Sequence, residues 1–243
     1  MINKEALQYI VGLREAKVQE VNGDVYSDKE LHRIDPYYPK ANAFTVSTLT
    51  SLVDYIKAGI DSMSDKMIIV VKSPTEVVLM SMLDENRDRE VLVRVEANIP
   101  NFYYGDFINH EKFLIGVQSK FINDETTDKD LLLKFAGTVE DGTVAEYGDD
   151  GVSQKATVKT GIASKREAIV PNPVKLRPFR TFVEVEQPVS EFVFRMQNSR
   201  HDGIACAIFE ADGGAWKNEA MKSIKEYLQA ELAEYSEQFT VIS

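Results

Sequence analysis

The sequence predicts an α+β protein, mainly antiparallel sheet with at least four helices. Three observations point there. Apolar residues recur at helical spacing in four stretches, at Leu7/Ile10/Val11, Leu49/Leu52/Val53/Ile56/Ile60, Phe113/Leu114/Val117/Phe121 and Trp216/Ala220/Ile224/Tyr227/Leu228/Leu232. Strand-like runs between them are joined by turns too short for crossovers, so neighbours are expected to pair antiparallel. An order of three strands, a helix and a strand occurs at 67–139 and again at 180–242. That recurrence suggests two similar strand-strand-strand-helix-strand units, although α+β chains also reach such an order by chance.

The elements follow in order. Residues 3–16 read as an amphipathic helix. The alternating KVQEVNGDVYS follows as a hairpin around Asn22-Gly23, a dipeptide that tolerates the turn's positive φ. HRIDPYYPKAN is extended, because Pro36 and Pro39 bias their predecessors away from helix. Ser47 is placed to cap the second helix and Gly59 to end it. Strands follow at 67–72, 76–83 and 90–97. A helix starts at Asp106 or Asn109 and runs to Phe121. Strand-like pieces at 131–139, 143–147 and 155–160 come next. Residues 163–179 hold Pro171, Pro173 and Pro178 and read as ordered but irregular. Strands at 180–186, 191–197 and 204–211 lead to a helix capped by Asp212, then to a terminal strand in QFTVIS.

In domain terms this gives a helical segment with a hairpin at 1–66, a first α+β unit at 67–152, a basic proline-stiffened connector at 153–179 and a second α+β unit at 180–243. One domain over the whole length is the alternative. Any break between two lobes is expected within 140–179.

Bulk properties narrow the classes. The 243 residues can support a sizeable core. The longest apolar run, Ile204 to Phe209, is far below the ~20 residues of a membrane span, so no membrane partner is expected. The lone cysteine, Cys206, sits inside that run and reads as a buried hydrophobe. His32, His110 and His201 are scattered, and no zinc-ligand spacing is present. No cofactor is expected.

Net charge is −11, which disfavours generic nucleic-acid binding over the whole surface. The distribution is uneven. Between 153 and 180, Lys155, Lys159, Lys165, Arg166, Lys175, Arg177 and Arg180 face only Glu167, a net +6 that leaves −17 elsewhere. Arg177 and Arg180 flank Pro178-Phe179, so cations and an aromatic ring share one strip. Such a strip can pair with phosphates and stack a base, or dock on the acidic face of a second subunit. Lys155, Lys159, Lys165, Arg166, Lys175, Arg177, Phe179 and Arg180 are therefore the candidate ligand or interface residues.

Two motifs invite stronger readings. Tyr147-Gly148-Asp149-Asp150 spells the metal-binding turn of RNA-templated polymerases. Its flanks, TVAE and VSQK, are too polar for a buried palm hairpin, and no second carboxylate strand precedes it to complete a two-metal site. A polar turn explains it. Asp141, Asp149 and Asp150 form a minor alternative metal site. Glu210-Ala211-Asp212-Gly213-Gly214 resembles a phosphate-cradling turn, but its acids sit where an anion would bind, so it reads as a helix start. No catalytic constellation is evident.

Several phrases together resemble one family: TLTSLVDYI (48–56), SPTEV (73–77), YGDDGVSQKATVKTGIAS (147–164), VPNPVKLRPFRTFVEVEQP (170–188), SEFVFRM (190–196) and FEADGGAW (209–216). They are similar to the YfdQ-like proteins of tailed phages and prophages, over about residues 44–230. The resemblance implies a phage-encoded protein acting in the bacterial host cytoplasm. That family carries a domain of unknown function and supplies no catalytic residues.

The expected function is a non-enzymatic homo-oligomeric binding protein that captures a phosphate-bearing ligand, such as a nucleotide, or a host protein, including as a host-defence antagonist. Alternatives are an accessory factor of phage replication or recombination that contacts single-stranded DNA, a metal-dependent hydrolase, and a virion structural or assembly component.

Overall fold

The computed structural model describes residues 4–13, 16–22, 24–30, 40–61, 63, 66–84, 87–137, 147–149, 154–159, 165–169, 172–199 and 203–243. They form two compact units, Met1–Lys40 and Ala41–Ser243. The compact division thus falls after Lys40, and the stretch 140–179 lies inside the second unit.

The first unit holds α1 (Lys4–Gly12) and an antiparallel hairpin of β1 (Val18–Val21) and β2 (Asp24–Ser27). Val21 pairs with Asp24, which leaves the two-residue loop expected at Asn22-Gly23, and Asn22 has φ 55°. None of the α1 residues is buried.

The second unit is built on two five-stranded sheets. One contains β3 (Phe44–Val46), β4 (Met67–Ser73), β5 (Glu76–Ser81), β6 (Val91–Glu96) and β15 (Phe239–Ile242), in the order β15-β4-β5-β6-β3. The meander β4-β5-β6 is antiparallel, while both edge strands run parallel to their neighbours. The other contains β7 (Ile108–Asn109), β8 (Phe121–Ile122), β12 (Val174–Pro178), β13 (Ser190–Ser199) and β14 (Gly203–Glu210), in the order β7-β14-β13-β12-β8 and antiparallel throughout. A smaller antiparallel sheet joins β9 (Tyr147–Asp149), β10 (Gln154–Lys159) and β11 (Lys165–Ile169).

Five α-helices are present among the described residues. In the second unit they are α2 (Leu49–Ala58), α3 (His110–Lys120), α4 (Lys129–Gly137) and α5 (Ala215–Glu231). Thr48, not Ser47, caps α2, its side chain accepting from the Ser51 N–H, and Gly59 ends the helix at φ 56° as its spacing suggested. Asn109 caps α3 through the Glu111 and Lys112 N–H groups.

The order expected at 67–139 and 180–242 is not kept, since β7 stands between β6 and α3, residues 131–137 are helix and 180–186 are no strand; β4-β5-β6 is followed by β7, α3 and β8, and β12-β13-β14 by α5 and β15. Each helix and strand serves the other meander. Ile224 and Leu228 of α5 join Leu52, Val53, Ile69 and Leu79 in one core. Phe113 and Val117 of α3 join Leu176, Phe192, Phe194 and Ile208 in the other. The two halves are interlocked, and neither meander is covered by the helix that follows it.

Two expected strands are absent. Residues 131–139 were expected to be extended, but Lys129–Gly137 is helix α4. Leu132, Phe135 and Ala136 are its buried apolar residues, at i, i+3 and i+4, whereas Leu131 is half exposed. Buried Lys129 donates to the Gln118 and Phe121 carbonyls at the C-terminal end of α3, where a cation is favoured. Residues 180–186 are not a strand either. The amide of buried Gln187 takes the place of a neighbouring strand there: its Oε1 accepts from the Arg180 and Thr181 N–H groups at 2.9 and 3.1 Å, and its Nε2 donates to the Phe182 carbonyl at 2.9 Å. Conversely, the stretch expected to be irregular contains β11 and β12. In β12, buried Val174 and Leu176 alternate with Lys175 and Arg177.

Candidate binding site

The residues expected to form one basic strip separate into three places. The first is β12 and its continuation. Lys175 is exposed, and its N–H and carbonyl are clipped by Asp128 at 2.8 and 2.7 Å. Arg177 is tied down: it pairs with Asp124 at 3.1 Å and Glu186 at 3.2 Å and donates to the Thr126 hydroxyl at 3.3 Å. Asp124 is held below the usual carboxylate range, chiefly by the Thr126 hydroxyl and N–H, with Arg177 adding to it. Phe179 donates its N–H to the Lys120 carbonyl.

Arg180 is the second place, and it points into the protein. It is 4 % exposed, and its guanidinium lies 3.9 Å from the Trp216 ring centre and 5.7 Å from that of Phe192. It bonds Glu210 at 3.0 Å and the Ser190 hydroxyl, which donates to Asp212 at 2.5 Å. Burial pulls the Arg180 pKa below the ordinary arginine value, against the opposing pull of Tyr104, Glu210 and Asp212. Arg177 and Arg180 thus sit in two separate acidic knots, and no open guanidinium–proline–aromatic platform forms between them.

Asp212 belongs to the same knot. Gly213 and Gly214 both have positive φ, 62° and 81°, which only glycine adopts freely, and Gly214 rather than Asp212 is the helix N-cap. Asp212 stays close, accepting from the Gly214 N–H at 3.0 Å. Burial alone would raise its pKa. The Ser190 hydroxyl, the Gly214 and Trp216 N–H groups and the Arg180 charge outweigh burial and hold it low. The turn is therefore filled by the chain's own carboxylate.

The third place is the β9-β10-β11 sheet, which carries Lys155, Lys159, Lys165 and Arg166. Its register opposes Lys155 with Ile169, Thr157 with Glu167, Val158 with Arg166 and Lys159 with Lys165. In β9, Gly148 opposes Lys155 and Asp149 opposes Gln154. Asp141 and Asp150 lie outside the described residues, as do His32 and His201. Among the described residues no three His, Cys, Asp or Glu side chains gather as a metal cage. Burial pushes the Cys206 thiol up to about 12, far from a reactive thiolate.

One feature escaped the sequence reading. A cleft of about 530 Å³ runs along α3, lined by Phe102, Tyr103, Ile108, Lys112, Ile115 and Gly116 among others. Tyr103 and Ile115 are each 56 % exposed in it. The aromatic string FYYGDF was its available signal. No helix among the described residues is long and apolar enough to cross a membrane. Comparison with protein-family models, curated proteins and solved structures gave no match.

Proposed function

We propose that this is a non-enzymatic binding protein that self-associates and captures a phosphate-bearing ligand or a host protein. On the family resemblance, it is made by a phage and acts in the host cytoplasm.

The observation that carries self-association is α1. Leu7, Ile10 and Val11 stand at i, i+3 and i+4 and are 52, 52 and 59 % exposed. A nine-residue helix is too short to hold its shape in water by propensity alone. An exposed apolar stripe on it is most simply covered by the same stripe of a second copy. The nearby hairpin adds exposed Val18, Val21, Val25 and Tyr26. The ligand half of the reading is supported by the cations of the small sheet, which carries four of the eight candidate residues.

Native mass spectrometry tests the reading on the full chain. A defined oligomer is expected for the wild type, and a monomer for the Leu7→Ser, Ile10→Ser, Val11→Ser triple variant. A monomeric wild type refutes self-association.

A further inference from the structure

The cleft along α3 has the size and make-up of a small-molecule site. Its volume of about 530 Å³ falls within the roughly 300–1,000 Å³ of such pockets. Its deep wall is firmly held. Phe102 is buried, and its ring meets Phe121 edge-on at 4.9 Å and Phe113 at 6.2 Å between centres. That ring lies close on the backbone of α3, because a Cβ on Gly116 would come within 2.9 Å of it. The outer lining is apolar and open to water. Tyr103 and Ile115 are both more than half exposed, and a flat ligand laid over them removes both from solvent.

The charge of the lining is one-sided. Lys112 and Lys120 belong to it, and no acid does. In a chain of net charge −11, that selects an anion. The two lysines differ. Lys120 Nζ already donates to the Asn101 carbonyl. Lys112 is exposed, and among the described residues no carboxylate pairs with it. Ile115 follows Lys112 by three positions and Gly116 by four, so the cation and the apolar seat are neighbours on one side of the helix.

These features choose among ligands. An inorganic anion leaves the apolar walls uncovered. A neutral apolar molecule leaves Lys112 unused. A nucleic-acid strand needs cations repeated along its path, whereas the second lysine of this lining is already engaged. A mononucleotide carries a flat base and a phosphate one sugar apart. Its base can stack on an aromatic ring and its phosphate can take a charge-assisted hydrogen bond from an ammonium.

We propose that the cleft along α3 binds a nucleoside monophosphate, its base against Tyr103 and Ile115 and its phosphate paired with Lys112. The proposal rests on the phosphate-ligand half of the proposed function and is independent of self-association.

The test is isothermal titration calorimetry of the full-length protein with AMP, adenosine, inorganic phosphate and 1-naphthoate, an aromatic anion that is no nucleotide. AMP is expected to bind about 10-fold more tightly than adenosine or phosphate. Lys112→Gln should weaken AMP binding about 10-fold and leave adenosine unchanged. Tyr103→Ala should weaken both by about 5-fold or more. Ser119→Trp, which puts a large ring into the cleft from an exposed position, should abolish binding. Lys222→Gln, on the α5 helix of the other core, should change it less than about 2-fold. Tyr103, Lys112 and Ser119 are all exposed, and an unchanged circular dichroism spectrum establishes that each variant is folded. Equal AMP binding by wild type and folded variants overturns the cleft and leaves the phosphate-ligand reading standing. Binding of 1-naphthoate without AMP overturns the nucleotide assignment. A wild type that binds none of the four overturns the inference; the phosphate-ligand half falls with it only if native mass spectrometry also finds no retained phosphate-bearing ligand.

Discussion

Replacing Gln187 with Ala should cost this protein about 3 kcal/mol, although its hydrogen bonds go to Arg180, Thr181, Phe182 and Val185, all outside helices and strands. The reasoning starts from burial. Gln187 is 3 % exposed, and its Oε1 is the acceptor for two backbone N–H groups, those of Arg180 and Thr181. Its Nε2 meets the Phe182 carbonyl at 2.9 Å and those of Thr181 and Val185 at 3.4 Å. Alanine removes both acceptors and donors at once. Each orphaned buried N–H costs about 1–3 kcal/mol, and the two losses add incompletely because one entering water can serve both. The segment so held is also the joint between the cores. Phe182 and Val185 lie in the core of the β4-β5-β6 sheet, Thr181 donates to the Pro74 carbonyl at 2.6 Å, and Arg180 faces Trp216 and Phe192. Urea unfolding followed by the fluorescence of the single tryptophan, Trp216, measures the effect. The melting temperature should drop by about 6–12 °C. Gln187→Glu keeps the acceptor but loses the donors and buries a charge, so it should not rescue. A loss below about 0.5 kcal/mol for Gln187→Ala would refute the idea that a side-chain amide stands in for a strand here.

Further outcomes follow from the same structure. Arg180→Ala leaves Glu210 and the Ser190–Asp212 pair without their cation and should destabilise by about 3 kcal/mol, whereas Arg180→Met, which refills the space over Trp216, should recover part of that in the same urea assay. Because α5 covers the β4-β5-β6 meander and α3 the other, residues 41–243 should unfold in one step, with tryptophan fluorescence and far-ultraviolet circular dichroism coincident; two separated transitions would contradict the interlock. Asp212 has a depressed pKa, so its contribution is present above the ordinary carboxylate range and lost as pH falls through its folded value. The stability gap between wild type and Asp212→Asn should therefore shrink as the pH is taken from neutral down through that value, and a gap independent of pH would remove its charge from the account. Cys206 is fully buried with its thiol raised to about 12, so a thiol reagent should label it only as fast as the protein unfolds.

Much of the local structure was legible because it depends on near neighbours. The hairpin at Asn22, the Gly59 helix end, the Asn109 cap and the β4-β5-β6 meander follow from spacing, capping chemistry and short turns. The failures share a cause. LLLKFA at 131–136 is apolar enough for either element, and its helix is selected by what Leu132, Phe135 and Ala136 pack against. RTFVEVE alternates like a strand, yet no strand is beside it, and its backbone is satisfied by Gln187. The candidate site divided for the same reason. Seven cations close in sequence looked like one strip, but Asp124, Glu186 and Glu210 claim Arg177 and Arg180, and they come from loops and strands up to 53 residues away from them.

The sequence by itself determined the α+β class, the absence of long apolar runs, the helix ends at Gly59 and Asn109 and the uneven distribution of charge, all of which are set by composition or by contacts within a few residues. Tertiary structure alone decided which helix covers which sheet and which arginines are spent inside the protein. Those outcomes depend on strand register and on partners distant along the chain, where a shift of one residue moves every side chain to the other side of a sheet.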